Sequence, residues 1–199
     1  MQLLDCTFRD GAYIVDAKFG TSAIKGIIDK LQKANIEIIE CGWLKNTEHK
    51  IGTTFFHVPE DISRYVNKKS EKSIFVAMID WDRYDLNYLP QNDNSILDAI
   101  RVVFPRGKAK EGIEVGCQIL AKGYKVFFQA ANTLAYTDEE LVELAECVNG
   151  IDAEALSIVD TFGAMYEEDL DRIIEKLEKT LNYRIKLSFH SHNNQQLSF

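Results

Sequence analysis

The sequence predicts an α/β protein built as a TIM-type (β/α)8 barrel, and three observations point there. Short β-rich runs alternate with amphipathic helical patterns along all 199 residues, with no linker or low-complexity break. Polar, chemistry-bearing residues fall where the strand runs end: Arg9 and Asp10, Glu40, Asp80, Asn132, Asp160, His190 and His192. A barrel collects its chemistry at the C-terminal ends of its strands. The doubly wound alternative predicts a GxGxxG turn after the first strand, and the chain has "RDGAY" there instead.

The strand runs are "QLLDCTF" (2–8), "IEIIECG" (36–42), "SIFVAMI" (73–79), "AIRVVFP" (99–105), "KVFFQAA" (125–131), "ALSIVDT" (155–161) and "IKLSFHSH" (185–192). Helical patterns separate them. "TSAIKGIIDKLQKAN" opens on Thr and Ser and carries Ile24, Ile27, Ile28 and Leu31 on one face. "TDEELVELAECVNG" opens with Thr137 three residues before Glu140, a capping box, and closes on Asn149 and Gly150. "YEEDLDRIIEKLEKTL" repeats the amphipathic face. Seven strands fall short of the full barrel, which takes about 250 residues. The expectation is a single barrel domain over 1–199, truncated after strand 7, with the eighth βα unit absent from this chain. Open first and seventh strands would favour a homodimer through exposed barrel edges.

The formal net charge of −8 argues against nucleic acid and anionic membrane as partners. No apolar run reaches the roughly 20 residues of a membrane span. "MQLLDCTFRD" has charges where a signal sequence would continue apolar, so a cytoplasmic protein is expected. Cys6, Cys41, Cys117 and Cys147 form no CxxC pair. They read as reduced, buried thiols, with Cys41 at a strand end where it could line a site.

His190 and His192 stand two apart on a strand run, so they share a face with Ser188 and Lys186, while Ile185, Leu187 and Phe189 take the other. Two imidazoles about 7 Å apart along a strand can turn toward one divalent ion. They can equally be hydrogen-bonded rim histidines. Asp10 offers a third ligand at the end of the first strand run, and two His with one carboxylate leave open positions for substrate and water. His49 and His57, in the polar segment after the second strand run, read as loop packing. Arg106, Lys108 and Lys110 could attract an anion near a helix start, or form a solvated first turn, which is the favoured reading.

With "LLDCTFRDGAY" at the start, "SFHSHNN" at the end and "IIECGW" and "SIVDTFGAM" between them, the chain resembles the metal-dependent TIM-barrel superfamily of aldolases, lyases and acyl-CoA condensing synthases, an HMG-CoA lyase-like (pyruvate carboxyltransferase-type) barrel. The resemblance is nearest to 4-hydroxy-2-oxovalerate aldolase and spans essentially the whole chain. It implies Asp10, His190 and His192 as metal ligands, with Mn²⁺ or Mg²⁺ as the ion and Zn²⁺ as an alternative. It implies Arg9 as the cation steadying a developing enolate oxygen, and Glu40 and Asp160 as carboxylates that hold the arginine and manage protons. Their bland roles would be a rim salt bridge or a helix cap. The implied reaction cleaves a 4-hydroxy-2-oxo acid to pyruvate and an aldehyde through a metal-bound enolate. Alternatives are an isopropylmalate or homocitrate synthase-like condensation, or a barrel that has lost catalysis. The aldolases carry a histidine after R-D-G where this chain has Tyr13, a poor base at neutral pH but able to orient substrate. The resemblance further implies a small 2-oxo acid substrate and, in some members, an acylating aldehyde dehydrogenase partner.

Overall fold

The strand runs of the sequence form strands, most of them followed by a helix, in a computed structural model that describes residues 1–197. The strands are β1 (Leu4–Asp5), β2 (Ile38–Leu44), β3 (Phe55–Phe56), β4 (Ile74–Asp80), β5 (Ala99–Phe104), β6 (Lys125–Ala130), β7 (Ala155–Asp160) and β8 (Lys186–Ser191). The helices are α1 (Thr7–Asp10), α2 (Ala12–Val15), α3 (Thr21–Lys33), α4 (Pro59–Ser63), α5 (Ala109–Ala121), α6 (Asp138–Asn149) and α7 (Glu167–Thr180). All seven expected strands are present, and β3 is a two-residue addition. Contacts divide the chain into two compact units: Met1–Arg101 with Ala121–Tyr124, and Val102–Leu120 with the residues from Lys125 onward.

In the first unit β2 pairs in parallel with β1, β3 and β4. Every residue of β2 is buried, the signature of a parallel strand covered on both faces. α3 buries Ile24 and Ile28, one turn apart, as its spacing requires. The first strand is shorter than its apolar run suggested. The Asp5 carboxylate accepts the Thr7 N–H at 3.1 Å and the Thr7 hydroxyl at 2.9 Å, which turns the chain into α1. Arg9 and Asp10 therefore sit on a helical turn rather than at a strand end.

Glu40 also moves from where the sequence put it. β2 runs on to Leu44, so Glu40 is its third residue and fully buried. Beyond it the β2–β4 register shifts between Glu40 and Trp43. Gly42 sits in that bulge with φ 141°, and a Cβ there would lie 2.2 Å from the Thr54 carbonyl oxygen. Only glycine lets the two backbones approach so closely.

In the second unit β7 pairs in parallel with β6 and β8, running from Ala155↔Lys186 to Asp160↔Ser191. α6 carries the expected capping box, Thr137 Oγ1 accepting from Glu140 N and Glu140 accepting from Thr137 N. Gly150 ends α6 with φ −73°, without the left-handed cap that Asn-Gly suggested. α6 buries Leu141, Leu144, Ala145 and Val148, and α7 buries Ile173 and Leu177. Among the described residues no helix is long and apolar enough to cross a membrane. Cys41 is buried, but Cys117 is exposed and Cys6 and Cys147 are half-buried, so the uniform buried reading of the cysteines fails.

α5 lies close over its own sheet because it has glycine at the contacts. A Cβ on Gly112 would stand 2.3 Å from Cδ1 of the fully buried Phe104. Gly112→Ala should therefore cost about 1–3 kcal/mol through overpacking, despite its better helix propensity. Urea denaturation followed by circular dichroism measures it, and a stabilised variant would show that the helix can lift without loss.

Candidate active site

The arginine turn is fixed from both sides of the first unit. Phe8 is fully buried and packs edge-on against Phe19, ring centroids 5.4 Å apart. Its carbonyl accepts the hydroxyl of buried Thr54 at 2.8 Å. Thr54 in turn donates its N–H to Ala17 O and accepts from Trp43 N, each at 3.0 Å. The next residue, Arg9, is thus delivered into the interior on a tethered backbone, at 6% exposure. Sequence reading missed Thr54, since a lone threonine in a loop carries no chemical signature.

Inside, Arg9 meets two carboxylates. Its Nε donates to Glu40 Oε2 at 2.9 Å, and its Nη1 contacts Asp10 Oδ1. Burial works against the Arg9 charge, but Glu40 and Asp10 outweigh it and hold the guanidinium more firmly protonated than usual. Asp10 Oδ2 also accepts the Cys6 thiol at 3.3 Å. Burial first, then the nearby Glu40 and Asp10 charges, push that thiol up to about 12, so Cys6 stays a neutral donor. A thiol is a weak donor, and a divalent cation would readily replace it at that oxygen.

The second partner of Glu40 was not foreseen. Arg101, the third residue of β5, is 2% exposed and brings Nη1 to 2.7 Å from Glu40 Oε1. The contact lacks hydrogen-bond alignment, so its attraction is Coulombic rather than directional. One buried carboxylate therefore bridges two buried guanidiniums, one at each oxygen. In the sequence, "AIRVVF" is an apolar strand run with one charge in it. That buried-strand arginine was the available signal, and it lacked a partner within reach along the sequence.

The second unit holds the other expected residues. The rings of His190 and His192 stand edge to face with centroids 5.0 Å apart. Two imidazoles bound to one ion through nitrogens at about 2.1 Å, roughly at right angles, have centroids about 5 Å apart. His192 Nδ1 lies 2.8 Å from the Thr161 carbonyl oxygen, which can only accept, so Nδ1 donates and a neutral ring would present its lone pair at Nε2. That is the tautomer and orientation a metal-binding histidine needs. Asp160 is buried and accepts the N–H groups of Ala164 at 2.9 Å and Met165 at 3.2 Å. It fixes the loop after β7 and caps no helix, since α7 begins at Glu167 behind Tyr166. A cavity of about 490 Å³ in this unit is lined by Asp160, Tyr166, Phe189 and His192, among others, but not by His190. It therefore does not mark the place where the two imidazoles converge.

The remaining candidates take quieter roles. Tyr13 lies on α2 and is 77% exposed. Lys45 reaches Asp80 at 3.0 Å and lies 4.1 Å over the Trp43 ring, a rim pair that holds the ends of β2 and β4 together. His49 bonds Phe55 O and the Tyr65 hydroxyl, each at 2.8 Å, and His57 bonds Lys45 O at 3.0 Å, so both pack loops. Arg106, Lys108 and Lys110 pair with Glu140, Glu111 and Glu143, a solvated set of ion pairs rather than an anion trap.

No family model matches the chain. It is 25% identical over 209 residues to 4-hydroxy-2-oxovalerate aldolase from Geobacillus genomosp. 3, covering 100% of this chain and 59% of that protein. It is 22% identical over 200 residues to oxaloacetate decarboxylase from Mycobacterium tuberculosis, covering 96% of this chain and 56% of the relative. Among solved structures, the N-terminal domain of a candidate aldolase from Bacteroides vulgatus superposes with a TM-score of 0.82 at 23% identity, covering 99% of this chain and 66% of that one. HMG-CoA lyase from Brucella melitensis gives a TM-score of 0.69 at 13% identity, covering 99% and 74%. These likenesses show the fold to be the TIM barrel of the aldolase and HMG-CoA lyase kind. The chain spans a little over half the length of the curated relatives named.

The bridging carboxylate gives a direct test. Glu40→Gln keeps the shape and removes the charge, leaving two buried guanidiniums short of a counter-ion. It should destabilise the fold by about 3–5 kcal/mol. A denaturation midpoint unchanged from the parent would mean that water reaches the cluster and screens it.

Proposed function

We propose that this member of the HMG-CoA lyase-like superfamily of TIM-barrel aldolases is a divalent-metal-dependent carbon–carbon lyase, releasing pyruvate and an aldehyde from a 4-hydroxy-2-oxo acid. The observation that carries the reading is Arg9, buried, firmly protonated and fixed beside Asp10 by Glu40. Cleavage next to a carbonyl leaves its electron pair as an enolate. A preorganised guanidinium in a dry site stabilises that oxygen without having to reorganise.

Asp10, His190 and His192 would hold the ion, by their match to the superfamily's motifs. The Nδ1 contact of His192, the spacing of the two rings and the carboxylate of Asp10 beside the Cys6 thiol support that assignment. A bound Mn²⁺ or Mg²⁺ would supply Lewis-acid polarisation of the 2-oxo acid. Glu40 holds Arg9, Asp160 holds the loop after β7, and Tyr13, exposed on α2, would orient substrate in place of the aldolases' histidine.

A second reading has its own support. Decarboxylation of oxaloacetate passes through the same pyruvate enolate but requires no base to take a hydroxyl proton. The chain has Tyr13 where the aldolases have a histidine, and one relative is named oxaloacetate decarboxylase.

Pyruvate release from a panel of 4-hydroxy-2-oxo acids and from oxaloacetate, with Mn²⁺ and with EDTA, tests both. We expect metal-dependent release that falls about 10²–10³-fold in Arg9→Met. His190→Ala should weaken Mn²⁺ binding in calorimetry as well as abolish turnover. Release from oxaloacetate alone would select the decarboxylase. No release from any substrate despite tight Mn²⁺ binding would overturn the lyase reading. Tyr13→Phe should raise KM a few-fold with kcat nearly unchanged, whereas a collapse of kcat would make Tyr13 the base.

A further inference from the structure

Arg101 is a full positive charge on an interior strand, and the reaction outlined above gives it nothing to do. β5 starts beside β4, where Asp98 N donates to Phe75 O at 2.9 Å. From there Arg101 reaches Glu40 on β2 past Val76, the β4 residue in register with Glu40. Val76 is apolar and fully buried, so its side chain adds no charge beside Glu40. Fold stability gives little reason for the arrangement, because well-packed apolar side chains commonly replace a buried ion cluster at no loss. Its consequence is geometric.

A carboxylate facing one arginine favours fork-to-fork pairing, with two parallel N–H···O bonds. Arg9 makes a single such bond to Glu40, from Nε to Oε2, and keeps Nη1 on Asp10. Oε1, the oxygen a second bond would use, faces Arg101 at 2.7 Å. We propose that Arg101 is the positioning residue for Arg9: by occupying Glu40 Oε1 it prevents Arg9 from forking onto Glu40 and keeps the guanidinium turned to Asp10 and the enolate. The two arginines balance the charges of Glu40 and Asp10, so the cluster is neutral while it holds this orientation. The functional half of the inference rests on the enolate reading of Arg9, and the orientation half stands on the geometry alone.

The test is calorimetric titration of the Mn²⁺-loaded protein with oxalate, a planar dianion shaped like the pyruvate enolate, so that no turnover is needed. Arg101→Met should weaken oxalate about 10–30-fold while Mn²⁺ affinity stays within about 3-fold. The contact is charge without alignment, so Arg101→Lys should recover most of the loss. In an Arg9→Met background, Arg101→Met should add less than about 2-fold, because a positioning residue has nothing left to position. The same loss with or without Arg9 would overturn the proposal, as would a lysine no better than methionine. A crystal structure separates this from failure of the lyase reading. If the parent ignores oxalate, the enolate reading falls, and the orientation of Arg9 in Arg101→Met then decides. A guanidinium forked onto both Glu40 oxygens supports the proposal, and an unmoved Arg9 overturns it. Should the methionine variant not fold, Arg101→Lys alone decides, with Nζ at Oε1 and near-parental oxalate binding expected. Loss of both overturns the proposal.

Discussion

The chemistry of the first unit depends on one buried carboxylate. Glu40 is fully buried in the middle of β2, yet it stands between two guanidiniums that are themselves almost fully buried. A charge taken out of water is costly unless opposite charges meet it closely, and here each oxygen meets one. The requirement spreads outward from there. Arg9 has to arrive on a turn held by Asp5, Phe8 and Thr54. β2 has to bulge at Gly42 so that Thr54 can come near enough to hold it. β4 has to present an apolar residue, Val76, beside Glu40.

The molecule treats its charges in two ways. Pairs such as Lys33–Asp29 and Lys179–Glu175 are solvent-exposed ion pairs on helix faces, where water screens them and they contribute little. The Arg9, Glu40 and Arg101 cluster lies where the effective dielectric is low, so orientation matters and each group is worth more. Preorganised electrostatics needs the second environment, because a cation in water has to drag its solvent shell along as charge develops. The histidines of the second unit are prepared by another device: a backbone carbonyl sets the tautomer of His192, and strand geometry sets the distance between the two rings.

Most of the fold was legible in the sequence, and so were several residues of the candidate site. The seven strand runs, the capping box at Thr137 and the apolar faces of α3 and α7 are local patterns, set by side-chain period and by hydrogen bonds a few residues long. Arg9, Asp10, His190 and His192 could be singled out because their short motifs are themselves local. Where local signals competed, the reading erred. An apolar run suggested a longer β1, but the Asp5 carboxylate caps a turn at Thr7. Glu40 looked like a strand end until pairing with β3 carried β2 on to Leu44.

What the sequence by itself determined is the βα rhythm and the stock of chemical groups it carries, because both follow from neighbours in the chain. What only the tertiary structure decided is which groups meet. Arg101 lies 61 residues beyond Glu40 and finds it across an intervening strand. Thr54 holds Phe8 across 46 residues, and Thr161 sets the tautomer of His192 across 31. Contacts of that reach leave no period and no motif. They exist only once parallel pairing has laid distant strands side by side, and the placement of charge in a low-dielectric interior is decided there.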